Sequence, residues 1–529
     1  MKRSYRKKVT PSVVNNLKRS IPVLLVVLLF GAVLLRVMTM NPEPRALARV
    51  GQVYDIGAAE PLGIDYSRNI ALGSPLVFGG SSTPVLGHVD SWNLLKDTGV
   101  TMMRNDFHMQ NNLPTNITLN DYINNVNDVQ NPNTWNQSNI NYTGGTFRYS
   151  KDRGMKVIGI VDYSPAWLTH SNTTIGVPRN WDVFEDIVKK NYRLYRPYMD
   201  MIEIWNEPDI NWFLNLSGSG LTRKEAYLQI FQHAVTAIKS VDAEIADGRE
   251  IPILAPAAAS PKNIDIIDHL LSNPISEHVD GVSVHSYDTE EPSWRYYLDV
   301  MKKYGKGNLP IYITEWNKTS QYIRNSAYVS GVEAIPFTGK KLLQFMKSGI
   351  AGANYFSTTR FDPNSSNMYV NSFGFFTWSN YVSTLLPHGK TWQLLSKSLA
   401  LGAGTSTVHR VFQPAKIEAM GFTNAGSEPG VAMVNSTSED LNVRVSMQNL
   451  KIPKSSVGKV YVASGINDAK VPYCTEDTSV DVSNPSFFVT VPAKSVVGVV
   501  FTKPKLVFVN TLLRILGVST SVEDCLVGF

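Results

Sequence analysis

Cysteine is nearly missing from this chain: Cys474 and Cys525 are the only two in 529 residues. Two cysteines make no disulfide framework, although they leave a single pairing open in an oxidising compartment. Charge is also sparse, at 18% against 43% hydrophobic residues, which is the balance of a globular chain and not of a disordered one. The first twenty residues contain no acid at all, while Lys2, Arg3, Arg6, Lys7, Lys8, Lys18 and Arg19 supply seven cations. Subtracting those seven from the net charge of +6 leaves −1 for the body. The body therefore lacks the basic excess that draws a protein to nucleic acid. Gly79-Gly80 lacks the context of a phosphate-binding loop, and no nucleophile elbow occurs. Asp265, Asp268 and His269 share a helical region that a polar surface face explains. No metal and no cofactor are expected.

What is present begins with one apolar run. The run Ile21–Leu35 follows the basic tail of residues 1–20 and approaches the roughly 17-residue lower limit of a membrane-spanning helix, with Arg36-Val37-Met38 completing a candidate anchor over 21–38. The same run has the character of a signal-peptide core, and Ala46-Leu47-Ala48 offers a small-residue cleavage pattern, although it ends 13 positions past Leu35. A transmembrane anchor is expected, with the basic tail cytoplasmic and the remainder extracytoplasmic; cleavage would release the same body as a secreted protein. Eight Asn-x-Ser/Thr sequons, at Asn116, Asn136, Asn141, Asn172, Asn215, Asn317, Asn364 and Asn435, would carry glycans only in a host with that machinery.

Residues 39–70, with Pro42, Pro44, Pro61 and Gly63, read as a linker. Over 71–402 short apolar strands alternate with amphipathic helices. Strands are expected at Leu76–Gly80, Val100–Phe107, Lys156–Tyr163, Met201–Trp205, Ile251–Ala255, Gly281–His285, Pro310–Thr314 and Gly352–Ser357. Eight strands separated by helices predict an α/β protein, a (β/α)8 TIM barrel. The loop after the second strand is Asn-rich, with 12 Asn in residues 111–141. Asn competes for backbone hydrogen bonds, so little regular structure is expected there, and the loop is a candidate substrate wall. Over 403–503 the period changes to two, which predicts an antiparallel β-sandwich. Residues 504–529 form an apolar tail with no assignment.

Two carboxylates end two of the strands. Ile204-Trp205-Asn206-Glu207-Pro208 closes the fourth and Ile311-Tyr312-Ile313-Thr314-Glu315-Trp316 the seventh. The C-terminal ends of barrel strands are where such enzymes hold their reactive groups. A pair of carboxyls there suits cleavage of a glycosidic bond, which needs a proton for the leaving oxygen and negative charge against an oxocarbenium-like centre. Double displacement with retention follows if the two lie about 5–5.5 Å apart.

The pattern Asn206-Glu207 at strand four and Glu315 at strand seven resembles clan A glycoside hydrolases, and family 39 and its relatives look nearest. Supporting pieces are Arg104 in Met-Met-Arg-Asn-Asp-Phe, Ser164-Pro-Ala-Trp167, His285-Ser-Tyr287, Phe373-Gly-Phe-Phe and Gly389-Lys-Thr-Trp392. The resemblance implies that Glu207 is the acid/base and Glu315 the nucleophile. It implies that Asn206 binds the sugar 2-hydroxyl, that Tyr287 holds the nucleophile, and that His285 positions substrate or the acid/base. Arg104 would lie under the nucleophile, and His108 would reach substrate. Of Trp167, Trp212, Trp316 and Trp378, Trp167 and Trp378 are the expected sugar-stacking faces.

The expected function is thus a retaining glycosidase acting on an extracellular or cell-envelope oligo- or polysaccharide. Two other readings share the same residues: a non-catalytic carbohydrate-binding or adhesion protein on a hydrolase barrel, and a glycan-remodelling transglycosylase.

Overall fold

The structure is a computed structural model and describes residues 53–61, 77–81, 89–287, 294–318, 333–358, 360–361, 376–379, 382–401, 407–412, 416–424, 426–446, 457–464, 473–478 and 486–502. The basic tail, the apolar run of 21–38 and the C-terminal tail lie outside the described residues, as do the side chains of Cys474, Cys525 and Trp378. Among the described residues no helix is long and apolar enough to cross a membrane.

A strand near the N-terminus, β1 (Val53–Pro61), precedes the barrel. The barrel strands are β2 (Val77–Ser81), β3 (Met102–Asp106), β4 (Lys156–Val161), β5 (Met201–Ile204), β6 (Ile253–Ala258), β7 (Gly281–Tyr287), β8 (Ile311–Asn317) and β9 (Gly352–Phe356). They pair in parallel in chain order, and β9 returns to β2 through Val77–Gly352 and the pairs that follow it, so the sheet closes. Strands β3 to β9 are largely buried on both faces, which is why they read as near-continuous apolar runs in the sequence. Helices Val89–Asp97, Gln137–Asp152, Trp181–Tyr195, Arg223–Ile245, Asp265–Leu271, Arg295–Lys303 and Ala334–Ser348 run between them.

A small sheet of β10 (Arg360–Phe361), β11 (Phe376–Ser379) and β12 (Val382–Leu385) follows β9. The C-terminal strands are β13 (Thr407–Phe412), β14 (Ile417–Thr423), β15 (Pro429–Asn435), β16 (Leu441–Ser446), β17 (Val457–Ser464), β18 (Tyr473–Thr478), β19 (Ser486–Val491) and β20 (Ser495–Thr502). The sheet order is β18-β17-β20-β15-β14-β13-β1-β16-β19. Ile417, Ala419, Val431, Met433, Val497 and Val499 pack against Leu441, Val443, Val445 and Val491, so the two ends of this sheet face each other as a sandwich. The period-two spacing supplies one apolar face per strand.

Two expectations are corrected. Residues 53–61 are not linker: β1 pairs antiparallel with β13, Gly57 opposite Phe412, and so completes the sandwich from the far end of the chain. Pro61 and Gly63 masked a pairing whose partner lies some 350 residues away, which no local pattern encodes. The Asn-rich insertion is also more regular than its composition suggests. It forms Leu119–Ile123 and two short 3-10 turns before Gln137–Asp152. Some of its Asn residues start these elements. Asn131 and Asn136 accept from Asn133 and Asn139 backbone N–H groups as caps, and Asn125 and Asn127 take the left-handed conformation that Asn tolerates.

The helix Ala334–Ser348 lies between barrel and sandwich, packed on β14, β15 and β20. Gly339 makes the close approach possible, since a Cβ there would sit 2.4 Å from Val496 Cγ2. Lys347 and Glu418 form an ion pair across the same seam.

Candidate active site

The lower interior of the barrel is apolar: Met102, Ile158, Met201, Leu254, Tyr312 and Ala351 form one buried cluster. Two residues further along the same strands the interior turns polar. Arg104 follows Met102 on β3 and Glu203 follows Met201 on β5, with the alternation of a strand keeping both pointed inward. Arg104 is almost fully buried and donates three ways: Nε to Glu203 at 2.5 Å, Nη1 to Glu315 Oε1 at 2.7 Å and Nη2 to Asn206 Oδ1 at 2.8 Å. Burial works against its charge, but Glu203 and Glu315 outweigh it and raise the guanidinium further above its usual range.

Glu315 is brought to this point by a register shift. Val284 pairs with Ile313, but the next pair is His285 with Glu315, so β8 carries one extra residue, Thr314, in the bulge. Such a bulge re-aims the side chain that follows it. Trp316 holds the strand end from behind: it is fully buried, stacked on Trp392 with centroids 6.0 Å apart and edge-on to Tyr355 at 5.1 Å. It is a packing residue and not a sugar platform. Tyr287 Oη donates to Glu315 Oε2 at 2.7 Å, so each oxygen of Glu315 meets a donor. Burial first, then the charges of Glu315 and Glu207, push the Tyr287 phenol well above its ordinary value, which keeps it a donor.

Glu207 enters on a strained turn. Trp205 and Glu207 have φ of 66° and 45°, and Ala257 on β6, whose carbonyl accepts from the Glu207 N–H at 3.0 Å, has φ 54°. Each left-handed non-glycine residue costs on the order of 1–3 kcal/mol and persists only where neighbours fix it. The fixing groups are visible: Trp205 Nε1 donates to Phe213 O at 2.8 Å, and the Ala257 N–H donates to Ser283 Oγ at 3.0 Å. The Glu207 carboxylate Oε1 lies 2.7 Å from His285 Nδ1, which is also 3.5 Å from Glu315 Oε2. Burial alone would push the His285 pKa down; the charges of Glu315 and Glu207, with the Glu207 hydrogen bond, overcome it and hold the ring above its ordinary value. One oxygen each of Glu207 and Glu315, and a nitrogen of His285, lie within 4.8 Å of one another. A resident cation fits poorly there, because Arg104 and Tyr287 already donate to the two Glu315 oxygens and His285 already pairs with Glu207.

The structure thus gathers Arg104, Asn206, Glu207, His285, Tyr287 and Glu315 into one network. Asn206 Nδ2 donates to Tyr163 Oη at 3.3 Å while its Oδ1 accepts from Arg104. His108 stands apart: it takes a left-handed backbone and its ring lies 3.8 Å from Asp106, not against either glutamate. Trp167 stacks on Tyr122 of the Asn-rich insertion at 5.5 Å, so one indole face is already covered by protein. Tyr122 in turn donates to Asp186, and the insertion is tied to the helix Trp181–Tyr195. Trp378 lies on β11 opposite Ser383. Two sequon asparagines, Asn317 and Asn435, are fully buried, which closes them to glycans in the folded chain.

Sequence reasoning missed three members. Glu203, fully buried behind Arg104, had a signal: an acid at an inward position of an apolar strand demands a buried partner. Tyr163 gave none. Asp162 is buried to 1% exposure, and neither of its oxygens finds a protein partner. Burial, reinforced by the charge of Asp106, raises its pKa well above the usual carboxylate value despite Arg104.

Residues 74–349 match the sequence model of the family described as cellulase, glycosyl hydrolase family 5. The chain belongs to that family. It is a glycoside hydrolase, of the clan to which its motifs pointed, although the matched family is 5 and not 39. No curated protein matches it. Solved structures similar to it include a glucosidase from Croceicoccus marinus, 13% identical with a TM-score of 0.60, the match covering 86% of this chain and 100% of that one. The glycoside hydrolase family 30 subfamily 8 xylanase of Clostridium acetobutylicum is 15% identical with a TM-score of 0.57, over 85% of this chain and 99% of that one. The family 39 enzyme of Xanthomonas axonopodis pv. citri is 12% identical with a TM-score of 0.57, over 88% and 99%. At these identities the likeness establishes the fold.

Proposed function

We propose that this glycoside hydrolase works with retention, Glu315 as nucleophile and Glu207 as acid/base, on an oligo- or polysaccharide. The observation that carries the reading is the carboxylate geometry: oxygens of Glu207 and Glu315 within 4.8 Å, with both Glu315 oxygens on donors. An inverting pair stands about 6.5–9.5 Å apart to admit a water, whereas a retaining pair stands at about 5–5.5 Å.

The roles follow from the partners. Glu315, held by a guanidinium and a phenol, has the surroundings of a carboxylate that attacks. Glu207 shares a hydrogen bond with His285, an imidazole able to donate or accept, which suits a group that must give up a proton and regain it. In the first step a Glu315 oxygen bonds to the anomeric carbon, the glycosidic C–O bond breaks and the leaving oxygen takes the Glu207 proton. In the second, Glu207 takes a proton from water as the water oxygen bonds to the same carbon and the ester to Glu315 breaks. Asn206, fixed between Arg104 and Tyr163, is placed to bind a hydroxyl of the reacting sugar.

The reading is tested by ¹H NMR of the first-formed product from whichever β-1,4-linked hexasaccharide of glucose, xylose or mannose is turned over. The newly released sugar should carry the anomeric configuration of the substrate bond; an inverted product contradicts it. We also place the catalytic body outside the cytoplasm, on the strength of the basic tail followed by the apolar run of residues 21–38. Fractionation of expressing cells tests this, and recovery of the full chain in the soluble cytosol contradicts it.

A further inference from the structure

Trp212 is 82% exposed, whereas the other eight tryptophans with described side chains are buried or half-buried. An exposed tryptophan on a mobile loop needs no explanation, but this loop is braced at many points. Starting from Glu207, the chain makes two turns in succession, Ile210 N–H to Glu207 O at 3.3 Å and Phe213 N–H to Ile210 O at 3.3 Å. Arg223 Nη1 donates to Pro208 O at 2.9 Å and Leu214 O at 3.0 Å, and the same guanidinium holds the Asn211 side chain. Phe213 accepts from Trp205 and stacks on Tyr163, and Asn215 N–H bonds to Ile175 O at 2.8 Å, tying the loop to the one that follows β4. Every neighbour of Trp212 is committed to the fold while its indole is not.

Its position gives the direction. Trp212 is five residues from Glu207, so their Cα atoms lie at most about 18 Å apart even if extended, and two turns shorten that. The proposed acid/base protonates the leaving oxygen, so the loop springing from it flanks the side of the cleft where the leaving sugar sits. A flat apolar face on a rigid support suits a sugar ring, whose axial C–H groups form an apolar patch that stacks on an aromatic face.

We propose that Trp212 is a stacking platform for a sugar unit on the leaving-group side of the scissile bond, so that the substrate is a glycan chain extending past the bond that is cut. This rests on the assignment of Glu207 as acid/base.

The test compares wild type, Trp212→Ala and Trp212→Phe as full chains on two kinds of substrate. One is the hexasaccharide turned over by the wild type; the other is the β-glycosyl fluoride of the matching disaccharide, whose leaving group reaches no further sugar site. For Trp212→Ala, kcat/KM on the hexasaccharide should fall roughly tenfold to thirtyfold, the scale of losing one aromatic anchor, and stay within about twofold on the fluoride. Trp212→Phe should recover part of the loss. An equal fall on both substrates, or no fall on the hexasaccharide, overturns the proposal. If the wild type turns over neither, the catalytic reading fails first. Calorimetric affinity for the three hexasaccharides then decides on Trp212. Weaker binding by Trp212→Ala supports the platform, and equal affinity, or none by the wild type, rejects it.

Discussion

The two ends of the barrel interior are built by the same strands and do opposite things. At the lower end Met102, Ile158, Met201, Leu254, Tyr312 and Ala351 fill the closed sheet with apolar atoms. Two residues on, Arg104 and Glu203 replace that packing with charge, and Glu315, His285 and Asp162 join them at similar depth. The lower layer stabilises by keeping water away from hydrocarbon. The upper layer holds ionisable groups in a site from which water is largely excluded, where a charge must be paired or, as at Asp162, suppressed by a retained proton, and where electrostatic interactions are stronger than in water. A change of one layer in depth separates stability from chemistry, and the two should be separable by mutation.

The largest effect on chemistry is expected from Glu315→Ala, which should lower turnover of any substrate roughly 10⁴-fold or more, while circular dichroism still reports a folded chain, since Arg104 keeps Glu203. Arg104→Ala and Met102→Ala set the two layers side by side on one strand. Arg104→Ala leaves the buried Glu203 unpaired and should cost about 3–5 kcal/mol in chemical denaturation, with loss of activity. Met102→Ala should cost about 2–5 kcal/mol, yet leave kcat/KM of the folded enzyme close to wild type. Loss of activity by both variants to the same degree would erase the distinction.

A smaller effect is expected from Tyr287→Phe. Removing one hydrogen bond to a charged group should lower kcat about tenfold to a hundredfold, with little change in melting temperature. The smallest is a pH effect at Asp162. The folded protein keeps the Asp162 proton at pH values where the unfolded chain has lost it. The native state therefore binds more protons, and this group's contribution to stability is lost as pH rises from the ordinary aspartate value through the raised folded one. Asp162→Asn, which mimics the protonated acid, should flatten that part of the stability profile measured by urea unfolding. His285, also raised, acts in the same direction, contributing below its ordinary value and losing that contribution as pH rises through its folded one.

Much of this was legible beforehand, for a physical reason. Strands buried on both faces are short apolar runs, so β3 to β9 stood out, and with them the strand ends that carry Glu207 and Glu315. The pairing of β1 with β13 was not legible, because long-range partners leave no local mark. The Asn-rich insertion was misread because Asn disfavours helix interiors but favours helix starts, and composition does not tell the two apart. The different exposure of Trp167 and Trp212 was not legible either. Both look alike in sequence, and only the fold shows one stacked on Tyr122 and the other open. Glu203 could have been found by parity along β5, and Asp162 by the same parity from the inward Ile158 along the expected strand Lys156–Tyr163.

The most direct measurement is to trap the covalent intermediate. The enzyme is incubated with a 2-deoxy-2-fluoro glycosyl fluoride of the sugar it cleaves, which slows both steps and the second more, then digested and analysed by mass spectrometry. The glycosyl mass should appear on the peptide containing Glu315, and only there. A label on Glu207, or sustained turnover of natural substrate by Glu315→Ala, would contradict the assignment of the two carboxylates.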